Sequence, residues 1–266
     1  MKNNIKNTVI ISTMLSTLLT TPVHADDDFI HINVDNSPKN VQEAPQDEEV
    51  EVLNNSNNKE LDIIIRVGEF PNKSGKRLIL PNKAEGYSDL PIQYDAVNDN
   101  YFISEYYFNL KIARKLRWVL EQNGVNAILQ DTTCKAEDLN AAGRIAKAKG
   151  APVYLSIHTN AFNGKSSGYF YMTNKGDTES AKIADRLSYS IKDNNLIPQL
   201  SNRVNDGYIG ELNVKPGTYN ILGEFGFFDN KIEAKKLASE DYCNYVARKM
   251  GDELTEILRE LGELDR

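Results

Sequence analysis

The sequence predicts an α/β domain, a mostly parallel twisted sheet with helices on both faces, folded as one unit over residues 61–266. Three observations carry this expectation. Short β-branched runs alternate with stretches whose apolar residues recur at helical spacing, the mark of successive β and α units. The run "PVYLSI" is apolar almost throughout, as a strand buried on both faces must be. Finally, roughly 200 residues with no internal repeat suit a single core.

"LDIIIRV" is rich in β-branched residues and reads as the first strand. It is closed by "GEFPNKSGKR", whose Gly, Pro, Asn and Ser mark a loop. Residues 88–100 hold no period and read as irregular. A long helix begins near Ser104, because Phe108, Ile112, Leu116, Val119 and Leu120 share one face, and it stops at "QNG". "VNAILQ" is the next strand, and "EDLNAAGRIAKAKG" a helix closed by Gly150. "PVYLSI" and "GYFYMT" follow as strands, then a helix from about Thr178 to Asn194, then "YNILGEF" as a strand. The chain is helical from Lys231 to about Leu261, with a break near Ser239.

The N-terminal region reads differently. "MKNNIKN" is a positive leader, "TVIISTMLSTLLT" an apolar stretch short for a bilayer span, and "VHA" a small-residue cleavage site ending at Ala25. Residues 1–25 are therefore expected to be a signal peptide, and the protein to be secreted or associated with the cell wall. Residues 26–60 are acidic, poor in large apolar side chains and without period, so a disordered linker is expected. Ten acidic and two basic residues give that stretch about −8, and the whole chain carries −7, so residues 61–266 are nearly neutral. No basic stripe or basic amphipathic helix is present, so no nucleic-acid partner and no stable membrane insertion after cleavage are expected. Two cysteines, Cys134 and Cys243, are too few for a disulfide framework, and free thiols are favoured over one bridge.

Ligand sites in such sheets gather beyond the carboxyl ends of the strands. That rule selects Glu69 after the first strand, His158 after "PVYLSI", and Glu224 after "YNILG"; Glu105 opens the long helix at the same edge. Each has an ordinary explanation: a solvated loop acid, a carboxylate at a helix N-terminus, a structural histidine. Glu224 is the hardest to dismiss, because "NILGEFGFF" buries a carboxylate that then needs a partner or a raised pKa. Together the four suit a zinc hydrolase, which needs about three protein ligands, an open position for water and a carboxylate base.

Several motifs add to this. "EYYFNLKIARKLRWVLEQNG" opens with a Glu at a helix start; Leu139, Arg144 and Ala146 follow; then come "SIHTN" and "EFGFFDN". In order and spacing these resemble the zinc-dependent N-acetylmuramoyl-L-alanine amidases of the amidase 3 type. The resemblance implies that His158 and Glu105 are zinc ligands and Glu224 the catalytic glutamate. It places Asn160 and Arg144, within matched motifs, at the substrate. It also implies a cell-wall hydrolase, an autolysin or remodelling enzyme, cutting the amide between N-acetylmuramic acid and L-alanine of peptidoglycan by metal-activated water; a monomer is expected. One departure stands out: where the family has its first histidine ligand, "RVGEF" carries Glu69, with Arg66 at a usually acidic position and Phe70 for a second glycine. With Glu69 as third ligand, the shell admits another divalent cation such as manganese. The alternative is a degenerate amidase-like domain that binds peptidoglycan or a partner without hydrolysis.

Overall fold

The computed structural model describes residues 61–69, 77–80, 87, 90–96, 98–130, 151–192, 196–207, 209–212 and 217–264. The expected signal peptide, the acidic linker, the helix over "EDLNAAGRIAKAKG" with Arg144, and Cys134 lie outside these residues.

The strands are β1 (Ile63–Val67), β2 (Arg77–Leu80), β3 (Gln93–Asp95), β4 (Asn100–Ser104), β5 (Ala127–Gln130), β6 (Val153–Asn160), β7 (Phe170–Asn174), β8 (Arg203–Asn205) and β9 (Tyr219–Phe227). Six of them form one sheet in the order β5-β1-β6-β9-β7-β8. β5, β1, β6 and β9 are parallel, and β7 runs against β9 with β8 parallel to it. The helices are α1 (Glu105–Gln122), α2 (Thr178–Ser190), α3 (Lys231–Ala238) and α4 (Glu240–Glu260).

Strand alternation divides the apolar residues between the two faces. Ile63, Ile65 and Val67 of β1, with Val153, Leu155 and Ile157 of β6, join the large core that all four helices cover. Ile64 and Tyr154 point the other way and form a smaller buried cluster with Ala151. Along α1 the predicted stripe holds, with Phe108, Ile112, Leu116 and Leu120 fully buried. Each such side chain contributes about 1.5–3 kcal/mol by leaving water. Side chains cap the other helices: Asp177 accepts from Ser180 N at α2, and Asn230 from Ile232 and Glu233 N at α3. Ser239 explains the predicted break. It is extended, it ends α3, and its hydroxyl accepts from Tyr242 N to start α4.

Four readings need correction. Residues 88–100 are not irregular throughout, and Arg77 is not in a loop: β2, β4 and β3 form a second, antiparallel sheet. Its organiser is non-local, since buried Arg77 lies 3.7 Å from Asp95 and 4.3 Å over the Phe102 ring. α2 ends at Ser190, short of Asn194. β6 does not stop at Ile157 but continues through His158 to Asn160, with a register shift against β9 between these two. The short strand β8 and the 3-10 turn Gly210–Leu212 have no pattern of their own that predicts them. Cys243 is a free, buried thiol, as expected, and burial pushes its pKa up to about 12.

α1 and α4 touch where Gly251 faces Val119: a Cβ on Gly251 would lie 2.5 Å from Val119 Cγ1 and 3.0 Å from its Cβ. Overpacking costs about 1–3 kcal/mol, against about 1 kcal/mol gained by replacing a helical glycine. Gly251→Ala is therefore expected to lower stability by about 1 kcal/mol. Val119→Ala should erase that loss in the double variant. Urea unfolding of the four proteins checks the coupling; strictly additive effects would show that the two helices do not meet here.

Candidate metal centre and active site

Asn109 assembles the site. One helical turn after Glu105 and fully buried, it donates to the Gly68 carbonyl at 3.1 Å and to Glu105 Oε1 at 3.4 Å. It also accepts from Thr159 Oγ1 at 3.0 Å. A single amide thus joins the start of α1 to the ends of β1 and β6. Thr159 N adds a 3.4 Å hydrogen bond to Glu105 Oε1.

Glu69, Glu105 and His158 consequently converge, each offering a ligand atom within 4.8 Å of the others. Glu105 Oε1 is 3.5 Å from His158 Nδ1. Glu105 Oε2 is buried and has no hydrogen-bond partner among the described residues. Such an atom is costly to leave bare, which fits a donor set of two carboxylates and one imidazole built for a cation. Glu69 is half-buried and has φ 62°, a left-handed conformation that a residue with a Cβ adopts at a cost of about 1 kcal/mol or more. Gly68 before it leaves room for the imidazole: a Cβ there would lie 2.3 Å from His158 Cε1 and 2.4 Å from Nε2.

Glu224 stands beside this group. It is opposite His158 in the β6–β9 register, with 9% of its surface exposed. Asn160 closes β6, its Oδ1 accepting from Ala161 N at 2.7 Å.

The sequence reading missed Glu211, on the 3-10 turn before β9. It is buried, and its Oε2 lies 2.7 Å from His158 Nε2 and accepts from Ser156 Oγ at 2.6 Å. Its Oε1 is 3.9 Å from Nη2 of fully buried Arg66, which also donates to the Val67 carbonyl. Burial alone would lower the His158 pKa, but the Glu211, Glu105 and Glu224 carboxylates outweigh it and hold the pKa well above its usual value. For Glu211, burial opposes ionisation, yet His158 and then Arg66 bring the pKa down to about 2. Nothing in "GYIGELNV" announces this carboxylate. Asn109 did leave a signal, as a polar residue on the α1 face that also carries Glu105 and Ile112.

The family model for N-acetylmuramoyl-L-alanine amidases matches residues 87–256. The chain belongs to this family. It is a peptidoglycan amidase by that membership. The match contains Glu105, His158 and Glu224 and begins after Glu69. Solved amidases share the fold. The catalytic domain of CwlV from Bacillus (Paenibacillus) polymyxa is 23% identical, with TM-score 0.58, over 75% of this chain and 98% of that one. An N-acetylmuramoyl-L-alanine amidase from Clostridium difficile 630 is 20% identical, with TM-score 0.59, over 76% and 98%. A sequence relative, the uncharacterized protein YqiI of Bacillus subtilis (strain 168), is 27% identical over 146 residues, 52% of this chain and 67% of its own.

The amidase places a glycine against its histidine, and this is testable. Gly68→Ala should displace the imidazole and weaken divalent-metal binding by about 10-fold or more, with far-UV circular dichroism unchanged. Unaltered metal affinity would show that the ring has room to move.

Proposed function

We propose that Glu69, Glu105 and His158 hold a zinc ion, and that Glu224 is the general base that hydrolyses the amide between N-acetylmuramic acid and L-alanine. The observation that carries this reading is the convergence of three donors, one of them with a buried carboxylate oxygen that has no hydrogen-bond partner among the described residues, beside a fourth carboxylate on the adjacent strand. Bound zinc would polarise the substrate carbonyl and make a water molecule more acidic. Glu224 takes the proton from the attacking water and passes it to the leaving amine of L-alanine. Asn160 uses its Oδ1 on its own loop, so substrate recognition falls to its NH2 group as a donor. Arg144 is the second substrate contact, on the strength of its motif.

Two carboxylates and a neutral imidazole cancel the charge of zinc, so the centre is a weaker Lewis acid than one with two imidazoles, and oxygen ligands open it to manganese. The ligand cluster and the strained Glu69 favour a working site over a degenerate binding domain. The reading extends to domain organisation: signal peptide 1–25, acidic spacer 26–60 and catalytic domain 61–266, acting outside the cell membrane as a monomer. Among the described residues no helix is long and apolar enough to cross a membrane. The intact mass of the exported protein, expected to start at Asp26, checks the cleavage; retention of residues 1–25 would refute it.

Metal content and peptide release from intact peptidoglycan test the roles. Glu224→Gln should keep the metal and lose hydrolysis by at least about 100-fold, because the amide cannot take a proton. Loss of metal in that variant would make Glu224 a ligand instead. Glu69→Ala should lose the metal, whereas Glu69→His should keep it and raise the rate. Full metal occupancy and activity in Glu69→Ala would reduce Glu69 to a loop residue.

A further inference from the structure

We propose that Glu211 is a positioning residue of this centre: it engages His158 at Nε2 and so commits Nδ1 to the metal, while Arg66 and Ser156 hold the Glu211 carboxylate in place. The proposal rests on the reading of Glu69, Glu105 and His158 as a metal site. An imidazole has two nitrogens and one lone pair when neutral, so whichever nitrogen donates a hydrogen bond leaves the other to bind a cation. Here the two are distinguished by their neighbours. Nε2 is 2.7 Å from Glu211 Oε2, on one side of the ring. Nδ1 is 3.5 Å from an oxygen of Glu105, itself one of the converging residues.

Glu211 is held where this requires. The 3-10 turn that carries it is distant in sequence from every proposed ligand, and a buried carboxylate in such a turn must be compensated. Arg66 alone would offer that compensation, which is the plainer account of the residue. The distances decide against it as the whole account, because Arg66 Nη2 is 3.9 Å from Oε1 while the imidazole is 2.7 Å from Oε2. Ser156, two residues before His158 and on the same face of β6, donates to that same Oε2 at 2.6 Å. One strand therefore presents a hydroxyl and an imidazole to one carboxylate oxygen. The missing Cβ of Gly68 lets the ring sit flush against the end of β1, since a Cβ there would lie within 2.5 Å of Cε1, Nε2 and Nδ1.

The test uses the full exported chain, labelled with 15N-histidine. The sequence has only three histidines, so the His158 ring signals can be assigned with one substitution, His158→Gln. In the zinc-loaded native protein, long-range 15N–1H correlation should show a protonated Nε2 and a metal-bound Nδ1. Zinc affinity, read by competition with a chromogenic chelator, should fall up to about 100-fold in Glu211→Ala. Glu211→Gln keeps a neutral acceptor for the Nε2 proton and should lose only about 10-fold. A purely structural Glu211 would lower the melting temperature and leave the tautomer and the order of these affinities unmoved. Metal bound through Nε2 in the native protein, or native zinc affinity in both variants, would overturn the proposal. If Glu211→Ala does not fold, native affinity in Glu211→Gln alone overturns it. Should the native chain bind no zinc, the metal reading fails separately. The positioning contact is then read in the metal-free protein, as a slowly exchanging Nε2 proton that Glu211→Ala loses. An exchangeable, solvent-like Nε2 proton there would overturn the contact as well.

Discussion

A single buried amide determines where the chemistry can happen. Asn109 has the end of β1, the end of β6 and the first turn of α1 within reach of its two polar atoms. Parallel strands supply a shared edge, but an edge alone leaves the helix free to slide along it. The amide removes that freedom, because an unmet donor or acceptor inside the core costs about 1–3 kcal/mol. With the register of α1 fixed, Glu105 faces His158, and the turn after β1 delivers Glu69 to the same place. That turn is itself strained, since the left-handed backbone at Glu69 persists only where its surroundings enforce it.

The electrostatics of the site follow from burying many charges together. Arg66, Glu105, His158, Glu211 and Glu224 all have less than a tenth of their surface exposed. Their balance pushes the His158 pKa up and the Glu211 pKa down. His158 thus lies in a buried cluster whose carboxylates favour its charged form against the effect of burial.

Much of this was legible in the sequence, for definable reasons. Helical periodicity gave α1 its limits, and Ser239 gave the break between α3 and α4. The rule that sites lie at the carboxyl ends of parallel strands selects Glu69, His158 and Glu224, with Glu105 at the same edge, and the fold brings Glu69, Glu105 and His158 together. It failed where the cause is non-local. β2, β3 and β4 are too short to show a period, and what orders them is Arg77 meeting Asp95 and Phe102 across the chain. Glu211 sits among turn residues, where an acid ordinarily faces water, and only the folded β6 reveals its partners. The extension of β6 through His158 was hidden for a related reason, since polar "HTN" resembles a loop until Glu105, Asn109 and Glu211 satisfy it.

The junction between the small sheet and α1 has a mechanical meaning. β4 ends at Ser104 and α1 begins at Glu105, so no joint separates them. Ser104 is still paired with Arg77 of β2 in the small sheet. Sheet and helix therefore form one lever, with Glu105 at its elbow and Asn109 as the pin beside it. A push on the small sheet would not bend a loop; it would apply torque at the Glu105 carboxylate.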